Sequence, residues 1–356
     1  LQGPRCDFNE GTTTGQNVWG KASGAARVST FYRYSFDPTD ERLKYVDNTW
    51  YYLYDGTPQV NFSYTMHNNK WSKFWSKGAP LGPTSEGNTG INYPYMRYAD
   101  VLLMDAEALN ELNGGPTDQA KEDLAQVRRR AFQSADQAEK VTAYVNAVSG
   151  SKERFLKAVL DERKWEFAGE NMRWKDLVRN NLYGVALYYE FLRFMAVAEN
   201  AGGSSEYEDV LAEHDGRDYI ATWPYSVYYR KAANPKNTDT YPNTTLDILE
   251  LSDSFKDVRP AADPANPWSQ ADVYGWWDES QGVKNECRYS LYGYIRTDLL
   301  GNPVVVNADG QPVSMPAPSA DMQPSQLPVV RYILPYPREA IQRSAGAYKN
   351  YYGYLN

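Results

Sequence analysis

Cysteine and histidine are scarce, with two of each in 356 residues. Cys6, Cys287, His67 and His214 lie far apart, so a cysteine-histidine metal site or a thiol-imidazole pair lacks members. No motif sets a serine or cysteine beside either histidine. Whether Cys6 and Cys287 pair stays open, because sequence gives no geometry for them. No run approaches the roughly 20 apolar residues that a spanning helix needs, and mean hydropathy is -0.67. Basic blocks of five or more are also missing: 37 Lys plus Arg face 45 Asp plus Glu, for a net charge of -8. Such a balance leaves little to neutralise phosphates and excludes nucleic acid as a partner. Residues 1–21 show neither the basic nor the apolar region of a signal peptide. The start therefore reads as an interior segment of a longer chain.

Aromatic residues, in contrast, are abundant. Thirty Tyr, 10 Trp and 11 Phe make up 14% of the chain. Tyrosine pairs an apolar ring with a polar tip, which suits surfaces that touch sugars or peptides while staying wet.

Residues 27–66 alternate roughly and read as short strands or extended loops, followed by a Gly/Pro/Ser connector at 77–89. Helical spacing then takes over. Tyr95, Ala99, Leu102, Ala106 and Leu109 share one face of a helix ending near Leu112, stopped by Asn113-Gly114-Gly115-Pro116. Thr117 caps the next helix, whose buried stripe is Ala120, Leu124, Val127 and Ala131. A third helix is predicted over 151–168 with Phe155, Val159 and Leu160 inward, prolonged after Gly169 by 171–179, and a fourth over 181–198. Periodicity then fades until Glu339, with a short helix expected at 247–255. The organisation expected is an aromatic loop and short-strand segment (1–90), helical hairpins (91–200), an irregular insertion (201–330) and a closing segment (331–356), all in one domain. The fold class is mainly α, hairpins of the tetratricopeptide kind with a loop-rich, aromatic-rich subdomain.

Four segments carry a family resemblance. Tyr95-Met96-Arg97-Tyr98-Ala99-Asp100-Val101-Leu102-Leu103-Met104-Asp105-Ala106-Glu107-Ala108-Leu109-Asn110-Glu111 resembles the long helix motif of the SusD/RagB family of outer-membrane nutrient-binding lipoproteins. Val127 to Ala131 resembles the family's next helix. Glu162-Arg163-Lys164-Trp165-Glu166-Phe167-Ala168-Gly169-Glu170 with Arg173-Trp174-Lys175-Asp176-Leu177-Val178-Arg179 is similar to its second signature, and Leu334 to Ile341 through Tyr354 to its closing segment. The resemblance covers about 37–354 and only the later part of a family member. Members begin with a lipid-anchored cysteine and supply two earlier helical hairpins, so the chain looks like a fragment, a cleaved product or one piece of two. Residues 201–326 depart most from the pattern.

The resemblance implies a non-catalytic, surface-exposed protein of the outer membrane, lipid-anchored in its full-length form through an anchor not present in this chain. It implies capture of oligosaccharides or polysaccharides and delivery to a SusC-like TonB-dependent transporter, with no cofactor. Peptide cargo, as in RagB-type members, is one alternative. A helical glycoside hydrolase or lyase is another, and a bare module binding only the transporter a third.

Glu162, Glu166 and Glu170 repeat at four-residue spacing and invite an acid/base reading. Arg163, Arg173, Asp176 and Arg179 among them point instead to an ion-pair network bracing the scaffold, joined by Arg97, Asp100 and Glu107. Trp165, Phe167 and Trp174 read as core packing. Asp100 and Asp105 do not make a metal site, and no catalytic residue or metal is predicted. Asp37, Asp40 and Arg42 read as turn-stabilising. Recognition then falls to aromatic loops: Trp71, Lys73 and Trp75 with Asn69; Trp50, Tyr52 and Tyr54, two apart on a strand; and Trp276-Trp277. One stacked sugar covering about 50 to 100 Å² yields roughly 1 to 2.5 kcal/mol, so two or three platforms give weak capture that permits release.

Overall fold

The computed structural model describes residues 28, 30–48, 50–52, 58–60, 67–68, 70–71, 92–199, 208–215, 226–230, 255–256, 258–272, 295–297, 303–306, 312–313, 317, 319–327 and 336–349. The described part is mainly α-helical, with short strands. Contacts divide the chain into two units, Leu1–Arg173 with Ser226–Ala271, and Trp174–Tyr225 with Asp272–Asn356.

In the first unit, two short helices, α1 (Thr30–Tyr34) and α2 (Leu43–Val46), precede four brief strands. β1 (Asp47–Asn48) pairs antiparallel with β4 (His67–Asn68), and β2 (Trp50–Tyr52) with β3 (Pro58–Val60). The expected alternation thus gives a strand at Trp50–Tyr52.

Three helices build the core. In α3 (Tyr98–Leu112) Leu103 and Ala106 are fully buried, and Asn113 Nδ2 donates to the Leu109 carbonyl at the helix end. α4 (Asp118–Arg129) starts as expected, with Thr117 Oγ1 accepting from Ala120 N at 3.1 Å. The caps matter because the first N–H groups of a helix have no partner within it. After α4, a π turn (Ala138–Ala143) runs into α5 (Tyr144–Val148), both absent from the sequence reading. Ser151 caps α6 (Lys152–Glu166), whose Phe155 and Val159 are fully buried against α3 and α4. Burying each such side chain stabilises by about 2 kcal/mol.

Three expectations need correction. Tyr95 does not join the buried face: α3 begins at Tyr98, Arg97 is extended, and Tyr95 is 91% exposed. Segment 171–179 does not prolong α6. Gly169 and Asn171 take positive φ (74° and 56°), which breaks the helix before α7 (Arg173–Arg179) begins. Trp174 is exposed and does not pack in the core, whereas Phe167 does.

In the second unit, α8 (Tyr183–Glu199) agrees with its expected span and buries Tyr188, Tyr189 and Leu192. The Tyr189 ring stacks on His214 of α9 (Glu208–Asp215) at 3.5 Å. A three-stranded antiparallel sheet is formed by Ile295–Thr297, Pro303–Val306 and Pro312–Val313. A last helix, α10, spans Arg338–Arg343. The helix expected at 247–255 falls almost wholly outside the described residues.

Candidate functional site

The last turn of α6 points Glu162 and Glu166 the same way, since four residues make about one helical turn. Glu162 is fully buried between two guanidinium groups: Arg42 Nη1 donates to Oε1 at 2.7 Å and Arg128 Nη1 to Oε2 at 2.6 Å. Arg128 is itself fixed from the π turn and α5. Its Nε and Nη2 donate to the Lys140 carbonyl, and it lies 3.7 Å over the Tyr144 ring. Burial pushes the Tyr144 phenol upward, so that hydroxyl stays neutral.

Glu166 collects three cations. Arg97 Nη1 donates to it at 2.8 Å, Arg42 Nη1 reaches it at 3.4 Å, and Arg130 Nη2 donates to the oxygen that Arg97 holds. Burial opposes its ionisation, yet Arg130, Arg42 and Arg97 outweigh it and hold the carboxyl at about 2. Glu170 lies beyond α6 rather than on its face. Gly169's left-handed turn brings it back so that Arg97 Nε and Nη2 each hold one oxygen and Lys70 Nζ a further bond. Burial drives the Lys70 ammonium below its ordinary value despite Glu170. Asp40 accepts from Arg42 Nη2 at 2.7 Å, and Arg163 pairs with Asp100 at 2.7 Å in the interior.

Around this set opens a cleft of about 450 Å³. Arg42, Lys70, Arg97 and Arg130 contribute its cations, Glu41 and Glu166 its carboxylates, and Tyr45, Val46 and Trp165 its apolar wall. Chemically, the buried carboxylates are saturated with donors, and Glu166 is held ionised. A general acid for glycoside cleavage needs a carboxyl shifted the other way. Among the described residues no group of three metal-ligating side chains occurs, and no helix is long and apolar enough to cross a membrane.

The signature residues foreseen from sequence are only partly gathered here. Arg97, Glu166 and Glu170 meet directly, Glu162 joins through Arg42, and Asp100 with Arg163 forms a neighbouring pair. Glu107 sits half-buried on α3. Arg173 donates to the Leu160 carbonyl at 3.0 Å, and Asp176 pairs with Arg179 at 3.3 Å in the second unit. Arg42 does stabilise the turn with Asp40, but it also spans to Glu162 and Glu166, which the sequence reading missed. Lys70, Arg128 and Tyr144 were missed too. The Arg128-Arg129-Arg130 run was a signal for the second; nothing local announces the others.

Of the aromatic candidates, Trp71 is half-buried and its Nε1 donates to the Gly169 carbonyl at 2.9 Å, which ties it to the turn after α6. Trp50 and Tyr52 fall on β2, in register with Val60 and Pro58. Tyr54, Asn69, Lys73, Trp75, Trp276 and Trp277 lie outside the described residues, as do Cys6 and Cys287.

The SusD family model matches residues 8–354. The chain belongs to the SusD family. Within it, SusD-like protein P25 of Formosa agariphila is 37% identical over 121 residues, which are 34% of this chain and 20% of that protein. SusD-like protein P38 of the same organism is 39% identical over 90 residues, 25% of this chain and 17% of the relative. The chain thus spans about a fifth of the length of these curated SusD relatives. Among solved structures, a SusD homologue from Bacteroides thetaiotaomicron is similar with a TM-score of 0.47 at 22% identity, covering 58% of this chain and 42% of that one. Surface glycan-binding protein A from the same organism gives 0.35 at 18% identity, covering 52% and 38%.

Proposed function

We propose that this SusD-family chain binds oligosaccharides at the cell surface without cleaving them and passes them to a SusC-like TonB-dependent transporter. The full-length protein is a lipid-anchored component of the outer membrane. Family membership across residues 8–354 carries the proposal. The donor-saturated setting of Glu162, Glu166 and Glu170 supports the non-catalytic part, and Glu166, held at about 2, has no proton to give near neutrality. The signature side chains then brace the scaffold, and capture depends on aromatic stacking with Trp71 and the other tryptophan and tyrosine loops as platforms. Weak capture suits a feeder, whose ligand must leave again.

Calorimetric titration with a panel of oligosaccharides, followed by chromatography of the ligand after prolonged incubation, tests the reading. Saturable binding with ligand recovered intact is the expected result, and Trp71→Ala weakens it. Shortened product overturns the non-catalytic claim. Binding of peptides with no glycan response replaces the cargo. Co-purification of a TonB-dependent transporter with the full-length form tests delivery.

A further inference from the structure

Six of the nine side chains that line the cleft beside Glu166 are charged. The bonded set around it counts five cations, Arg42, Lys70, Arg97, Arg128 and Arg130, against four carboxylates, Asp40, Glu162, Glu166 and Glu170. Four of those cations are spent. Arg42 and Arg97 use every nitrogen on Asp40, Glu162, Glu166 and Glu170, Arg128 is buried, and Lys70 Nζ donates to both the Glu166 carbonyl and Glu170. Arg130 differs. Its side chain is 60% exposed, and Nη2 alone is engaged, on Glu166. The remaining edge of the guanidinium, a flat fork matched to a two-oxygen anion, has no hydrogen bond among the described residues. When that guanidinium turns to a ligand, Glu166 keeps Arg97 and Arg42.

The other walls complete the picture. Tyr45, 42% exposed, offers a ring to the C–H face of a pyranose. Glu41 also lines the cleft, its carboxylate accepting from Gln133 Nε2 at 3.0 Å. With Glu41 counted, the cleft is close to neutral. Selection there comes from where the charges stand rather than from a general positive field.

We infer that this cleft is a subsite for an anionic saccharide, with the carboxylate or sulfate on Arg130, the ring against Tyr45 and hydroxyls on Glu41. The inference rests on the oligosaccharide-binding reading and narrows its ligand to charged glycans.

The test titrates the full chain with three oligosaccharides of equal length: an oligogalacturonate, a sulfated carrageenan fragment and a neutral cello-oligosaccharide. The anionic ligands are expected to bind at least about tenfold tighter than the neutral one, the size of one charge-assisted bidentate contact. Arg130→Gln removes that advantage while leaving the melting temperature within a few degrees, since Glu166 retains two arginines. Preference for the galacturonate alone assigns a carboxylate, and for the carrageenan fragment alone a sulfate ester; both uphold the subsite. Equal binding of the neutral ligand, or an unchanged anionic preference in Arg130→Gln, overturns the subsite and leaves glycan binding standing. Failure of all three ligands, and of a wider glycan panel, overturns both.

Discussion

Arg97 grips Glu170 with two prongs, Nε to one oxygen and Nη2 to the other, both at 2.8 Å. The pair joins the residue before α3 to the turn after α6, and Glu170 is 4% exposed. Removing one member of a buried pair strands the other, which costs about 3 to 5 kcal/mol. Arg97→Ala is expected to lose about 3 kcal/mol in urea unfolding. Arg97→Lys recovers part of that, because a lysine cannot hold both oxygens in a fork.

Gly169 combines a φ of +74° with close approach: an added Cβ would meet Asn68 Nδ2 at 2.4 Å. Gly169→Ala is expected to destabilise by at least about 2 kcal/mol. Pairing it with Asn68→Ala relieves the clash but not the backbone strain, so thermal melts of the double variant recover only a fraction.

Glu166 has a folded-state value near 2 against an ordinary value of 4.5. A depressed carboxyl contributes stability that is fully present above the unfolded value and lost as pH falls through the folded one. Melting temperature should therefore drop between about pH 5 and pH 2. In Glu166→Gln that slope should flatten, with the neutral-pH stability already reduced. A parallel acid profile in wild type and variant would contradict the assignment.

Asp123 runs in the opposite direction. It is 2% exposed, its Oδ1 accepts from Gln119 at 2.8 Å, and its Oδ2 accepts from no donor among the described residues. Burial, together with the neighbouring Asp105 carboxyl, raises its value. A raised folded-state carboxyl contributes stability at low pH that is lost as pH rises through it. Asp123→Asn should raise the melting temperature at neutral pH and do so progressively less as the solution is acidified, read by differential scanning calorimetry.

The helices that position the site were legible in the sequence because their signals are local. Leu102, Ala106 and Leu124 recur at helical spacing, and Thr117 and Ser151 stand where caps belong. The π turn and α5 escaped because their buried stripe amounts to Val141 and Val145, too few for a period. Tyr95 and Glu170 misled for a shared reason: helical spacing continues past the point where Arg97 or Gly169 ends the helix. Arg42 and Lys70 could not be read as partners of α6 at all. Their contacts lie 120 and 100 residues away in sequence, and no spacing rule reports a pairing set by tertiary packing.

Those same separations set an order of assembly. Closing a loop of 100 residues or more costs chain entropy before any ion pair forms, whereas α3 and α4 need only a five-residue turn between them. The α3–α4 hairpin is therefore expected to form first, with Arg42 and Lys70 joining the end of α6 afterwards. If unfolding retraces this sequence, amide protons of Asn68 and Lys70 are expected to exchange with solvent through partial openings that leave Leu124 protected, read by native-state hydrogen exchange.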